Sequence, residues 1–194
     1  MLPFDRHGPV APASPVVISV PHAGRDYPPA LLAEARVPAA LVMLEDRHVD
    51  AVALAAHGGE ALLVQRIPRA SIDLNRAEDE RDPAVDSGAR PGHHPSAKVR
   101  SGLGLVPRRA GAAGELWRRR FSDAEVRERI ATAHRPYHAA LAAALDAAEA
   151  RFGVAVLVDL HSMPPLPGAR AAEIVIGDRY GRTAGAGLYE NLWH

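Results

Sequence analysis

The chain has 194 residues, 47% of them hydrophobic, enough for one globular domain that buries roughly 70% of its unfolded surface. Lys+Arg and Asp+Glu both number 23, so no general field draws it to nucleic acid or an anionic membrane, and no apolar run reaches the length of a membrane span. The absence of cysteine excludes thiolate nucleophiles, disulfides and Cys-rich zinc sites together, so that any metal must be held by histidine and carboxylate.

Residues 1–13 carry Asp5, Arg6 and three prolines instead of a basic segment followed by an apolar one, which places the expected location in the cytoplasm. The first apolar, β-branched run, 15–20, reads as a strand. A long Ala/Leu/Val-rich segment then opens at Pro38 and closes at Gly58-Gly59, as a helix with proline in its first turn and glycine past its last should. Two further strands are expected at 61–67 and 70–74. Residues 77–113 turn charged and then rich in Pro, Gly and His with no period, and read as a long loop over one end of the sheet. Ser122 and Glu125 have capping-box spacing and start a helix that runs to Gly153 with a kink at Pro136. Strands at 154–160 and 172–176 complete the pattern. Strands alternating with helices imply an α/β fold with a sheet at least partly parallel, in a single domain over 1–194.

The histidines fall at informative places on this frame. His22 follows the first strand by two residues, and His161 ends the strand at 154–160. Ligands of open α/β sheets bind at the carboxyl ends of strands, so these two imidazoles are candidates to converge on a metal. Asp159 lies two residues before His161, on the same strand face, and is placed to support that ring. A catalytic zinc needs a third protein ligand, and the segment Leu44-Glu45-Asp46-Arg47-His48-Val49-Asp50 interrupts an apolar helix with Asp46 and Asp50 four apart on one face. A solvated stripe is the plainer reading of Glu45, Arg47 and His48. Arg66, Arg69 and Arg76, with Asn75, crowd a short segment suited to a carboxylate-bearing substrate, against the alternative of a surface ion-pair network. His134 and His138 have the i, i+4 spacing that could hold a metal, though no third ligand follows at the next turn.

Six segments in order, Pro21-His22-Ala23-Gly24, Asp46-x-x-Val49-Asp50, Ile72-Asp73-Leu74-Asn75-Arg76, Gly102-Leu103-Gly104-Leu105-Val106-Pro107-Arg108, Pro136-Tyr137-His138 and Asp159-Leu160-His161-Ser162, resemble the N-formylglutamate amidohydrolase family. That family is similar in turn to zinc carboxypeptidases and aspartoacylase-type deacylases. The resemblance implies a central mixed, mostly parallel sheet flanked by helices, of the zinc-carboxypeptidase type. It implies one Zn2+ per chain on His22, Asp46 and His161, although Arg25 stands where the related deacylases carry a second-ligand glutamate. Arg69, Asn75, Arg76 and Arg108 match the clamp on the substrate carboxylates, and Tyr137 and His138 are implied to line the site beside Asp159. The implied activity is hydrolysis of N-formyl-L-glutamate to formate and L-glutamate, as in histidine degradation. The partner is thus a small anionic N-acyl amino acid, with neither nucleic acid nor membrane.

Members of that family are usually longer, and the similar deacylases take their general-base glutamate from a segment after the Asp-Leu-His strand. The stretch 184–194 does not resemble the family, so the chain is expected to lack its C-terminal segment, with Glu173 or Glu190 as the alternative source of the base. Two rival functions follow: a zinc amidohydrolase acting on another N-acyl amino acid or a cell-wall amide, and a catalytically silent metal-binding fragment.

Overall fold

The structure is a computed structural model that describes residues 2–90, 95–168, 172–178 and 181–185. The chain divides into two compact units, Met1–Ser162 and Met163–His194. The first is built on a four-stranded sheet with strands β1 (Phe4–His7), β2 (Val16–Val20), β3 (Ala61–Gln65) and β4 (Val156–Asp159) in the order β1-β3-β2-β4. β2 pairs in parallel with both β3 and β4, and β1 joins β3 antiparallel, giving the mixed, mostly parallel α/β sheet expected. The runs 15–20, 61–67 and 154–160 therefore fold as strands with trimmed ends. β1 was not anticipated: only Phe4 of its four residues is buried, and such a charged edge strand carries no apolar run for a sequence to show.

β3 is buried along its whole length, and Leu62 and Leu63 are fully enclosed. On one face Leu63 and Val17 pack with Phe4, Leu74 and Tyr137 against helix α5 (Arg135–Phe152), and on the other Leu62, Ile18 and Val20 pack with Ala53 of helix α2 (Val49–Ala56). The Tyr137 hydroxyl lies 2.9 Å from Ser19 Oγ and donates to the Leu63 carbonyl at 3.3 Å, which ties α5 to both central strands. A larger cluster away from the strands holds Leu31 of helix α1 (Pro29–Glu34) with Leu41, Leu44, Ile72, Leu105, Trp117 and Phe121.

Three expected elements are corrected. The helix from Pro38 divides into a 3-10 segment, Pro38–Leu44, and α2, because the Asp46 N–H donates to the His22 carbonyl at 2.9 Å and His48 takes a left-handed φ of 67°. Asp46 consequently sits in the break, off the helix it was expected to share with Asp50, while Asp50 pairs with Arg25. The run at 70–74 is buried but not a strand: Pro68 opens a turn closed by the Ser71 N–H, and the Asp73 carboxylate caps the Asn75 N–H at 2.9 Å, so side chains take the place of a ladder. No strand forms among the described residues 172–178. Elsewhere, the helix begun by the Ser122–Glu125 capping box does reach Phe152. Its break comes as a π-turn, Ile130–His134, just before Pro136, where the Arg135 N–H bonds the Ile130 carbonyl. The described residues of 77–113 are largely irregular but packed: Val85, Val99, Leu105 and Val106 are buried, and Ala97–Arg100 makes one helical turn, α3.

Candidate metal centre and substrate site

Because β2 and β4 are parallel neighbours in register from Val16↔Val156 to Ser19↔Asp159, the residues just beyond their carboxyl ends emerge side by side. Those residues are His22 and His161, whose rings lie 4.8 Å apart. Gly24 lets the His22 turn lie flat on the next strand's exit, since a Cβ there would meet the Ile67 carbonyl oxygen at 2.2 Å. The break before α2 delivers Asp46 to the same point. One ligand atom each from His22, Asp46 and His161 falls within 4.8 Å of the others, the one such group among the described residues.

Hydrogen bonding fixes the tautomers. His22 is 3% exposed, and its Nε2 lies 2.8 Å from Asp73 Oδ1; a carboxylate only accepts, so Nε2 carries a proton and the ring turns its Nδ1 inward. That Nδ1 is buried without a hydrogen-bond partner, 3.5 Å from Asp46 Oδ2. His161 bridges two carboxylates, Nδ1 to Asp46 at 2.8 Å and Nε2 to Asp159 at 2.9 Å. Burial opposes its charge, but the bonds to Asp159 and Asp46 prevail and push its pKa up to about 9. Asp46 moves the other way: burial would raise it, and the bond from His161, with the His22 ring close by, holds it well below the carboxylate range. Ser162 Oγ donates to its second oxygen at 3.1 Å. The centre thus offers the unpartnered Nδ1 of His22, an ionised Asp46 and the His161 ring, whose Nδ1 becomes a donor once it gives up the proton it shares with Asp46. This donor set fits a divalent cation, with a supporting carboxylate behind each histidine.

Asp73 is the residue that sequence reasoning missed. Fully buried, it accepts from His22, from Arg69 Nε at 2.9 Å, and lies 3.9 Å from Arg76 Nε. Burial resists its ionisation, and His22, Arg69 and Arg76 together hold its pKa well below the ordinary value. A carboxylate in the apolar run Ala70-Ser71-Ile72-Asp73-Leu74 was the available signal.

Asn75 Nδ2 reaches both Asp159 Oδ2 and His161 Nε2 at 2.8 Å, so Asn75, Asp159 and His161 do come together. Arg69 and Arg76 gather on Asp73, one step behind His22. Arg108 is held elsewhere, by Asp82 at 2.7 Å and by Glu115, and lines a cavity of about 560 Å³ with Arg81 and Arg100. Tyr137 is occupied by Ser19 and Leu63, and His138 by the Leu74 carbonyl at 2.9 Å. Glu173 is exposed in the second unit, and Glu190 lies outside the described residues.

The family model for N-formylglutamate amidohydrolase matches residues 14–193. The chain belongs to that family. Its fold is similar to the crystal structure of N-formylglutamate amidohydrolase from Ralstonia eutropha JMP134, at 38% identity and a TM-score of 0.86, with 98% of this chain and 71% of that one covered. A crystal structure of a gene product from Agrobacterium tumefaciens matches at 18% identity and a TM-score of 0.58, over 90% of this chain and 62% of that one, and shows the fold alone. No curated protein matched the chain. The family is one of amide hydrolases, which bears out the resemblance carried by the six segments. Among the described residues no helix is long and apolar enough to cross a membrane.

Proposed function

We infer that the protein is a zinc-dependent hydrolase of N-formyl-L-glutamate, releasing formate and L-glutamate in a step of the histidine-degradation type. One Zn2+ per chain would be held by His22, Asp46 and His161. The observation that carries this reading is the buried Nδ1 of His22, which has no hydrogen-bond partner and two further ligand groups in reach, in a chain of this family. Two imidazoles with one carboxylate suit zinc better than magnesium or calcium, and three protein ligands are the usual catalytic complement. Bound there, zinc supplies a Lewis acid for the acyl carbonyl and lowers the pKa of water towards about 7.

The chain's own residues supply orientation. Asp73 keeps the His22 proton on Nε2, and Asp159, itself held by the Asn75 amide, supports the His161 ring. Arg69 and Arg76, pre-set on Asp73, are assigned to the two substrate carboxylates, where a guanidinium fork makes paired hydrogen bonds that a neutral amino acid cannot accept. Ligands at the carboxyl ends of parallel strands in a mixed sheet also accord with the zinc-carboxypeptidase pattern.

Release of the free amine from a panel of N-formylglutamate, N-acyl aspartates, N-formyl derivatives of neutral amino acids and a cell-wall amide, with formate followed for the N-formyl members, tests the assignment. Turnover fastest on N-formylglutamate is expected. Equal or faster release from the neutral derivatives would defeat the substrate reading.

A further inference from the structure

The turn at 74–76 belongs to neither helix nor sheet, yet it delivers the Asn75 amide to Asp159 and His161. Its carbonyls have side-chain partners instead of a ladder. His138 Nε2 lies 2.9 Å from the Leu74 oxygen, Arg76 donates to that of Asn75, and His134 Nε2 lies 2.8 Å from that of Arg76. A carbonyl only accepts, so both imidazoles donate from Nε2, and the two bonds straddle Asn75. The histidines are neighbours on one helix face, their rings 4.4 Å apart. The π-turn at Ile130–His134 ends at the first of them, and such turns recur at functional sites. His134 is 7% exposed, and its Nδ1 is buried without a hydrogen-bond partner, 3.9 Å from Glu78, so the pair is not a solvated stripe. With both Nε2 atoms taken by backbone, the spacing serves a clasp instead of a metal.

We propose that His134 and His138 are positioning residues: together they fasten the turn at 74–76 by its carbonyls and so fix the Asn75 amide against Asp159 and His161. The proposal rests on the reading of the site given above. Neither histidine meets the reacting atoms; both act through Asn75.

The experiment compares His134→Leu and His138→Leu with His134→Gln and His138→Gln, each in the wild-type and the Asn75→Ala background. Leucine removes the donor, whereas the glutamine amide replaces it. The Leu variants should lower kcat on N-formylglutamate by on the order of 10- to 100-fold, as loss of a supporting partner does, and the Gln variants should recover most of it. In the Asn75→Ala background the Leu substitutions should cost nothing further, because the path they act through is already gone. Full additive losses there, or Gln variants as impaired as Leu, overturn the proposal. The side-chain amide resonance of Asn75 gives a reading free of turnover: it should shift in the Leu variants and return in the Gln variants. A wild-type chain that releases no formate defeats the substrate reading and leaves that resonance to decide the clasp. An Asn75 signal unmoved by either Leu variant overturns the clasp even where formate is released.

Discussion

His22 has its two ring nitrogens in different company, Nε2 against the Asp73 carboxylate and Nδ1 in a buried space beside Asp46. Asp73 sets that division, so Asp73→Asn should weaken zinc affinity on the order of 10- to 100-fold, read by competition with a chelator. Unchanged affinity would show that the ring needs no charged support. Arg76 leans on the same carboxylate, and as part of the substrate clamp its loss should appear in substrate charge. Arg76→Ala is expected to raise KM for N-formylglutamate while sparing uncharged N-formyl substrates, with Arg76→Lys a partial rescue because a point charge lacks the bidentate fork. Equal losses on both substrates would reassign it to structure. His22 and His161 were legible because strand ends announce themselves as the close of an apolar run. Asp73 was hidden for the converse reason: within Ile72-Asp73-Leu74 the flanking residues are buried in core clusters, so the run reads as strand and its one carboxylate as an interruption.

The turns around the strands carry as much of the site as the strands do. Gly24 rests on the backbone of Arg66 and Ile67, where a Cβ would come within 2.6 Å of the Arg66 oxygen and closer still to that of Ile67. Gly24→Ala should therefore destabilise by about 3 kcal/mol in urea unfolding and loosen zinc binding by moving His22. A variant of native stability would mean the turn yields freely. Helix α4 (Asp123–Arg129) offers a pH test. The Arg119 ion pair, helped by Ser122 and opposed by slight burial, lowers the pKa of the capping-box residue Glu125 from 4.5 to about 2. A carboxylate depressed on folding stabilises above its unfolded pKa, and that contribution fades as pH falls from 4.5 through 2. Glu125→Gln should flatten the fall in urea midpoint over that window, and an unaltered slope would place the acid sensitivity elsewhere. The capping box was readable because it is local in sequence. The break at 45–48 was not, since the His22 carbonyl that draws off the Asp46 N–H comes from 24 residues upstream, a tertiary contact that no helical period records.

Across the whole molecule, the three proposed ligands lie in the unit Met1–Ser162. The alternative sources of the general base, Glu173 and Glu190, belong to 163–194. Glu173→Gln and Glu190→Gln should thus keep one zinc per chain, while the one that carries the proton loses about 10²- to 10⁴-fold in kcat. If neither loses activity, proton transfer falls to a group of the first unit. The α/β class and the order of site motifs could be read from sequence because parallel strands and crossover helices impose their periods strongly. The edge strand β1 and the clasped turn at 74–76 could not, being held by pairings distant along the chain. The central claim, that the His22, Asp46 and His161 group drives hydrolysis through a bound zinc, is tested most directly by stripping the protein with chelator and titrating zinc back while following formate release from N-formylglutamate. Activity should vanish on stripping and return in full at one zinc per chain, with no return in His22→Ala. Undiminished formate release by the stripped protein would contradict the account.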